Sequence, residues 1–99
     1  MKVERREHQG WKDEQRINRE HPELLTDFPM LVGMFGRWQY IYTGAKGRIS
    51  LVELHTLYRS APWEIYCLEG ELFEDVERFN TKDEAEERVK ELMGEEIEP

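Results

Sequence analysis

Cysteine is nearly absent from this chain of 99 residues, since Cys67 is the only one. An intramolecular disulfide is therefore excluded, and so is a metal cluster held by several thiolates. Long apolar runs are absent too, because the longest, around residues 30–35, is far shorter than the ~18 residues of a membrane span. Residues 1–7 are mostly charged and contain no signal-peptide core. The sequence therefore predicts a cytoplasmic protein with no membrane as its partner.

Apolar residues are also scarce, at 38% of the chain, while charged residues reach 36% against a usual quarter. The core of so short a chain must rely on large side chains, and three Trp, four Tyr and four Phe supply them. One sheet and one helix fit that amount of apolar surface, whereas a wide pocket of enzyme size does not. The many Glu, Lys and Arg residues, with few Asn and Gln, are also typical of thermophilic proteins.

The net charge of −8 is concentrated at one end of the chain. Residues 1–68 hold ten Lys and Arg against nine Asp and Glu, whereas residues 69–99 hold four against thirteen. A solvated face that keeps the protein soluble is one interpretation of the acidic end. The other is a docking face for a basic partner, for which the candidate residues are Glu71, Asp75, Glu77, Glu87 and Glu91.

The chain divides into a polar N-terminal arm and connector at 1–28 and a single domain at 29–99. Within the arm, residues 12–20 predict a short surface helix, and Pro22 suits the first position of a further helical turn. Residues 37–43 and 48–58 predict strands joined by a turn at 44–47. Residues 63–68 and 71–78 predict a hairpin with a two-residue loop, in which Ile65 faces Glu74.

The last element is an amphipathic helix. Thr81 and Glu84 have the spacing of a capping box, and Gly94 suits the position just after the C-terminus. Apolar residues fall on one stripe of this helix, namely Ala85, Val89, Leu92 and Met93. An isolated helix of this length is marginal in water, so the stripe must pack on the sheet. The predicted fold is α+β: an antiparallel meander of about four strands with a C-terminal helix on one face.

The usual catalytic side chains are few, namely His8, His21, His55 and Cys67. Cys67 alternates with Ile65 towards the predicted core face, where a thiol normally acts as a small apolar group. A catalytic Cys67–His55 pair is the alternative, since His55 lies on a neighbouring predicted strand. The other two histidines lack a ligand spacing such as H-E-x-x-H. We predict no catalytic residue, no metal site and no cofactor, and the sequence favours a protein that is not an enzyme.

The strand at 37–43 is the best candidate for a binding surface, because its aromatic face lies near basic residues. Aromatic rings on a sheet stack with bases while nearby cations neutralise phosphates. The candidate surface consists of Arg37, Trp38, Tyr40, Tyr42, Lys46 and Arg48. The alternative interpretation is that this aromatic face is the core beneath the C-terminal helix.

The step from the hairpin into the helix, residues 79–86, resembles that of several small β-sheet modules. The arm-type DNA-binding domains at the N-terminus of tyrosine integrases are among them. This resemblance covers about the last 37 residues and consists mainly of the capping chemistry around Thr81. The sheet that reads DNA in that family is basic, whereas this hairpin is acidic, so we assign no family on it.

We expect a small non-enzymatic interaction module whose partner is another protein, with a second copy of the chain among the candidates. An exposed sheet edge or sheet face would make the contact. The alternative is a protein that binds single-stranded nucleic acid through the aromatic and basic face. An enzyme is the third hypothesis and would require a pocket around His55 at a dimer interface.

Overall fold

The computed structural model describes residues 1–27, 36–54 and 60–98, in which it contains five strands and three helices. They are, in chain order, β1 (Lys2–Glu7), α1 (Gln9–Glu20), α2 (Pro22–Asp27), β2 (Trp38–Gly44), β3 (Gly47–Glu53), β4 (Trp63–Glu69), β5 (Glu77–Phe79) and α3 (Lys82–Met93). The strands form one antiparallel sheet in the order β1-β2-β3-β4-β5. The predicted α+β meander with a C-terminal helix is confirmed, with five strands instead of about four.

The core lies between α3 and one face of the sheet. The helix buries the residues that its spacing predicted, namely Ala85, Val89 and Met93, while Leu92 is half-buried beside them. The sheet contributes the fully buried side chains Tyr42, Ile49, Leu51 and Ile65. Tyr42 therefore belongs to the core under α3, as the second interpretation of the aromatic strand expected.

Both ends of α3 are capped as the sequence indicates. The Thr81 side-chain oxygen accepts a hydrogen bond from the Glu84 backbone N–H at 3.1 Å, which satisfies one free donor of the first turn. Gly94 adopts the left-handed conformation at φ 66°, and its N–H donates to the Lys90 carbonyl at 2.8 Å. A residue with a Cβ is strained at that φ, so glycine is favoured there.

The sequence did not predict β1, because residues 2–7 are almost all charged. β1 is an edge strand, and charged side chains are common on edges because they discourage unwanted pairing. It pairs with β2 along its whole length, from Lys2 opposite Thr43 to Glu7 opposite Trp38. β1 therefore belongs to the same sheet as the four strands that follow it.

The predicted register of the acidic hairpin is wrong. The chain leaves the sheet at 70–76 and returns only as the short β5, so that Ile65 faces Glu77 and Trp63 faces Phe79. Glu74, which the predicted register placed on the core face, is exposed. The longer loop lets Leu72 and Phe73 pack against the core instead.

The two central strands are buried on both faces. Ile41, Ser50 and Val52 alternate with the core residues of β2 and β3 and are buried on the face opposite α3. β1, in contrast, is exposed from Lys2 to Arg6. Among the described residues, the accessible backbone of the sheet is therefore found at its outer strands.

The predicted surface helix is confirmed as α1, which begins three residues earlier than expected and has no buried residue. His8 caps it, because its Nδ1 accepts a hydrogen bond from the Gly10 N–H at 3.0 Å. Burial, and to a lesser extent Arg6, lower the pKa of His8, which keeps this nitrogen available as an acceptor. Pro22 is the first residue of α2, as expected.

We predict that Thr81→Ala lowers the free energy of unfolding by about 1 kcal/mol, because the Glu84 N–H loses its acceptor. Urea denaturation followed by circular dichroism measures the change. Thr81→Ser, which keeps the oxygen, is the matched control and should lose much less. Equal losses for the two variants would show that the hydrogen bond does not stabilise α3.

Candidate functional site

The predicted aromatic and basic surface is divided in the structure. Tyr42 has no exposed surface, whereas Trp38 and Tyr40 are half-buried on the same sheet face. Arg48 lies at the other end of the β2–β3 hairpin, about 17 Å along the strand from Trp38, where it binds Glu69 at 3.1 Å. The structure therefore does not bring Arg48 together with the aromatic residues at the start of β2.

Lys46 lies in the tight turn of the same hairpin, close to the C-terminal tail. The neighbouring Ala45 N–H donates to the Glu95 carboxylate at 2.8 Å. This hydrogen bond, with smaller effects from the Met1 amino group and Lys46, holds the pKa of Glu95 below its usual value. Lys46 therefore faces a carboxylate of its own chain.

At the opposite end of β2, aromatic rings and cations lie close together in a group that we call the aromatic–guanidinium cluster. It consists of Arg5, Trp11, Arg37, Trp38, Tyr40 and Lys82. The Arg37 Cζ lies 5.0 Å from the centre of the Trp11 ring and 4.9 Å from that of Trp38. The Arg5 Cζ lies 4.3 Å from the Trp38 ring, so two guanidinium groups flank one indole.

The far side of the cluster reaches α3, where the Lys82 Nζ lies 4.1 Å from the centre of the Tyr40 ring. Three of the six members, Arg37, Trp38 and Tyr40, were among the predicted surface residues. Arg5, Trp11 and Lys82 were not. Arg5 and Lys82 join only through strand pairing and helix docking, for which the sequence gives no local signal. Trp11, a lone aromatic residue in a polar helix, was the one visible hint.

The outer edge of β1 is a second notable surface. The His8 N–H donates to the Arg37 carbonyl at 2.7 Å, which fixes the alternation of β1: even-numbered residues bond to β2 and odd-numbered residues face outward. At Met1 the outward groups bind the Glu96 carbonyl and the Glu98 N–H. No other described residue pairs with this edge, so the backbone groups of residues 3, 5 and 7 remain open.

A polar network crosses the sheet on the face opposite α3. The Gln39 side-chain Nε2 donates to the Ser50 hydroxyl at 2.7 Å and to the Tyr66 hydroxyl at 3.0 Å, while its Oε1 accepts from Arg6 Nε at 3.1 Å. Gln39 and Ser50 are buried. Both donors and the acceptor of the Gln39 carboxamide therefore have hydrogen-bond partners within the protein, so this buried side chain needs no ligand to satisfy it.

The candidate acidic face is also divided. Arg88 binds both Glu77, at 2.9 Å, and Glu91, at 3.1 Å, and Lys90 binds Glu87 at 2.8 Å. These carboxylates therefore neutralise cations of α3. The remaining two candidates, Glu71 and Asp75, are exposed in the 70–76 loop and make no ion pair within the described part of the chain.

A shallow groove of about 340 Å³ lies between α3 and the C-terminal tail. Its lining consists of Asp83, Glu86, Glu87, Lys90, Glu96 and Ile97. Lys90 already donates to Glu87 and lies 3.5 Å from Glu96, so the single cation of the groove is shared by two carboxylates.

Of the predicted catalytic candidates, His55 lies outside the described residues. The Cys67 thiol, half-buried instead of fully buried, donates to the Glu69 and Gly70 carbonyls at 3.3 and 3.0 Å. His21 stands at the end of α1, exposed beside Glu23. Over residues 1–27, 36–54 and 60–98, no group of three or more His, Cys, Asp or Glu side chains is placed to hold a metal ion.

None of the described helices is both long enough and apolar enough to cross a membrane. Compared with protein-family models, curated proteins and solved structures, the chain gives no match. Its own geometry is therefore the basis for a proposal of function.

The buried hydroxyl of Tyr42 generates a prediction about stability. It makes no hydrogen bond of standard geometry with the described residues. Burial, and then the nearby Glu86 carboxylate, raise the pKa of Tyr42 above its ordinary value of 10.0. The folded protein therefore holds this proton more tightly than the unfolded chain does, and the resulting stability is complete below pH 10.0 and declines as the pH rises further.

We expect Tyr42→Phe to leave the free energy of unfolding at pH 7 unchanged or to raise it by about 1 kcal/mol, since a buried hydroxyl without a hydrogen bond of standard geometry is removed. The variant should also lose less stability than the wild type between pH 9 and 11. Urea midpoints across that range measure both effects. Tyr66→Phe, which removes a bonded hydroxyl, is the comparison and should be destabilising at pH 7. A clear loss at pH 7 for Tyr42→Phe would mean that its hydroxyl has a partner.

Proposed function

We propose that the protein is a non-enzymatic interaction module that associates with a second copy of itself through the outer edge of β1. The observation that carries this proposal is the open row of backbone groups at Val3, Arg5 and Glu7. Val3 is 41% exposed, and the residues from Lys2 to Arg6 are all exposed. An edge strand with free N–H and C=O groups is a template for a further strand.

Antiparallel pairing of two copies has one favourable register. Residues opposite each other must both face outward or both face inward, so the two residue numbers of every pair must sum to an even number. In the register that sums to ten, Val3 faces Glu7 of the second copy and Arg5 faces Arg5. All the open backbone groups are then used, which gives about six hydrogen bonds across the interface.

The side chains agree with this register on the face opposite α3. There Glu4 of each copy faces Arg6 of the other, which gives two pairs of opposite charge. The like pair at Arg5 is relieved, because each Arg5 side chain leans across β2 to lie on Trp38, away from the edge. The interface therefore has complementary charges at the two Glu4–Arg6 pairs, and the repulsion between the two Arg5 side chains is reduced.

The neighbouring registers are less favourable. A sum of eight sets Glu4 against Glu4 and Lys2 against Arg6, and it requires the Met1 groups that the C-terminal tail occupies. A sum of twelve sets Arg6 against Arg6 and leaves the Val3 groups unused. Like charges directly opposite each other destabilise a strand pair, so both shifts are disfavoured.

The order of the strands keeps the acidic loop and α3 away from this edge, and the carboxylates of the C-terminal tail, Glu95, Glu96 and Glu98, lie only at its Met1 end. The acidic 70–76 loop and β5 lie at the opposite edge, and α3 packs on β3, β4 and β5. Four spacings of about 4.8 Å separate β1 from β5 by about 19 Å, more than the ~8 Å screening length at physiological salt. A net charge of −8 is therefore compatible with association at β1.

Sedimentation velocity over a wide concentration range tests the proposal. The wild type should move from monomer to dimer as its concentration rises. Val3→Pro should remain monomeric, because proline removes an outward N–H that the monomer does not use. Val3→Ala, which keeps that N–H, is the matched control and should still associate. A wild type that stays monomeric throughout would overturn the proposal, and association with any other protein would then be the remaining form of the interaction hypothesis.

Cross-linking of single-cysteine variants determines the register in which the two copies of β1 pair. In a Cys67→Ser background, Arg5→Cys should be joined by a short thiol cross-linker, because the two copies of residue 5 face each other at about 5.5 Å between Cα atoms. Glu4→Cys and Arg6→Cys, one residue to either side, are the controls and should react much less. Preferential linking at residue 4 would indicate the sum of eight, and linking at residue 6 the sum of twelve; either result would contradict the proposed pairing.

A further inference from the structure

We propose that the aromatic–guanidinium cluster binds single-stranded nucleic acid, with its guanidinium groups on phosphates and its partly exposed rings on bases. This surface lies on the sheet face that carries α3, beside the strand edge proposed for association. It rests on different atoms: the side chains of Arg5 and Arg37 and those of β2, α1 and α3, instead of the backbone of β1. The inference therefore does not depend on self-association.

The arginines of the cluster are held in position by the rings. A guanidinium at 4.3–5.0 Å from a ring centre stacks on the ring, and stacking does not block the N–H groups at its rim. Arg37 already donates from Nε and Nη2 to the Glu7 carboxylate, at 3.2 and 2.8 Å, so a ligand would meet its Nη1 group or displace Glu7. Since the fork is already oriented, little side-chain entropy is lost when it binds an oxyanion. Arg5 and Arg37 both lie over the Trp38 ring, at 4.3 and 4.9 Å from its centre, so their Cζ atoms are at most about 9 Å apart.

The charges of the cluster are only partly neutralised. Arg5 is exposed and makes no ion pair within the described residues. Arg37 binds Glu7 at 2.8 Å, and Lys82 lies 3.6 Å from Glu86. Three cations thus face two carboxylates, and Arg5 is the cation without one. An anionic ligand would complete the arrangement at Arg5, where the positive charge is uncompensated.

The rings are arranged in a row. Trp38 and Tyr40 follow each other on one face of β2, about 7 Å apart, and Trp11 lies beyond Arg37. All three are half-buried, so part of each ring meets solvent. Base stacking on such rings tolerates any base, because every base has a π-face. A row of rings alternating with cations suits a flexible strand of phosphates and bases better than an acidic peptide, which offers no planar groups.

Fluorescence anisotropy with labelled oligo-dT and oligo-U of about twelve nucleotides tests the proposal directly. We expect saturable binding that weakens about 20-fold between 50 and 200 mM salt, as three phosphate contacts predict for a single strand. Arg5→Ala and Arg37→Ala should each weaken binding about tenfold and flatten the salt dependence by about one contact. Trp11→Ala should weaken it about tenfold through lost stacking.

The matched control is Arg16→Ala. Arg16 is exposed to a similar degree as Arg37, at 57% against 53%, and lies outside the cluster beside Asp13. It should change affinity less than twofold. Arg37→Lys keeps the charge but not the planar fork and should give an intermediate loss, and urea midpoints confirm that each variant is folded. Val3→Pro keeps every cluster side chain and should bind as the wild type does.

Three results would overturn the inference. The first is an anisotropy that stays flat at low salt. The second is an equal loss for Arg16→Ala and Arg5→Ala, which would indicate a general effect of charge. The third is equally tight binding of an oligo-glutamate of matched length, which would assign the cluster to an acidic polypeptide.

Discussion

The packing of the α3 stripe on the sheet is the interaction on which the rest of the structure depends. Ala85, Val89 and Met93 cover Tyr42 and Ile49, and these residues account for much of the core in a chain with few apolar residues. The same packing fixes Lys82, at the start of α3, over Tyr40. It also brings Arg88 to Glu77 of β5, so a carboxylate facing Ile65 is neutralised. The packing of α3 therefore positions both the Arg88–Glu77 ion pair at β5 and the Lys82–Tyr40 contact of the aromatic–guanidinium cluster.

Elements with strong local signals could be predicted from the sequence. The capping residue Thr81, the terminal Gly94 and the apolar stripe between them identify α3, because helix ends and helix faces are specified by residues close in the chain. The turn at 44–47 and the aromatic face of β2 are equally local. Each of these features is confirmed in the structure.

What failed depends on partners distant in sequence. β1 is charged because it is an edge, and only its pairing with β2, more than thirty residues away, makes it a strand. The acidic hairpin register was wrong because the two-residue loop is the commonest choice, whereas Leu72, Phe73 and Phe79 gain more by reaching the core. The aromatic–guanidinium cluster likewise combines residues that are close in the chain with residues that are distant in it. Arg37, Trp38 and Tyr40 are neighbours in the chain, but Arg5 and Lys82 join them only after strand pairing and helix docking.

The two proposed surfaces share β1, and this sharing has a physical cause. A charged edge strand satisfies half of its backbone groups and presents its side chains to solvent on both faces. Its open backbone groups can pair with a further strand, while the Arg5 side chain extends over β2 to the Trp38 ring. Two kinds of recognition, one by main chain and one by side chain, are available on a segment of six residues.

Gln39 links more of the molecule than any other polar side chain described above. Its bonds run from Arg6 on β1 to Ser50 on β3 and Tyr66 on β4, so one carboxamide spans four adjacent strands. An opening of β1 alone would leave the buried Gln39 oxygen without its Arg6 donor, which penalises fraying of the edge by itself. The four strands should therefore open together as one cooperative unit, with the amide hydrogens of β1 that bond to β2, those of the even-numbered residues, exchanging in the same event as those of β4. The opening of β1, although it is an exposed edge strand, is in this way coupled to the global unfolding of the domain.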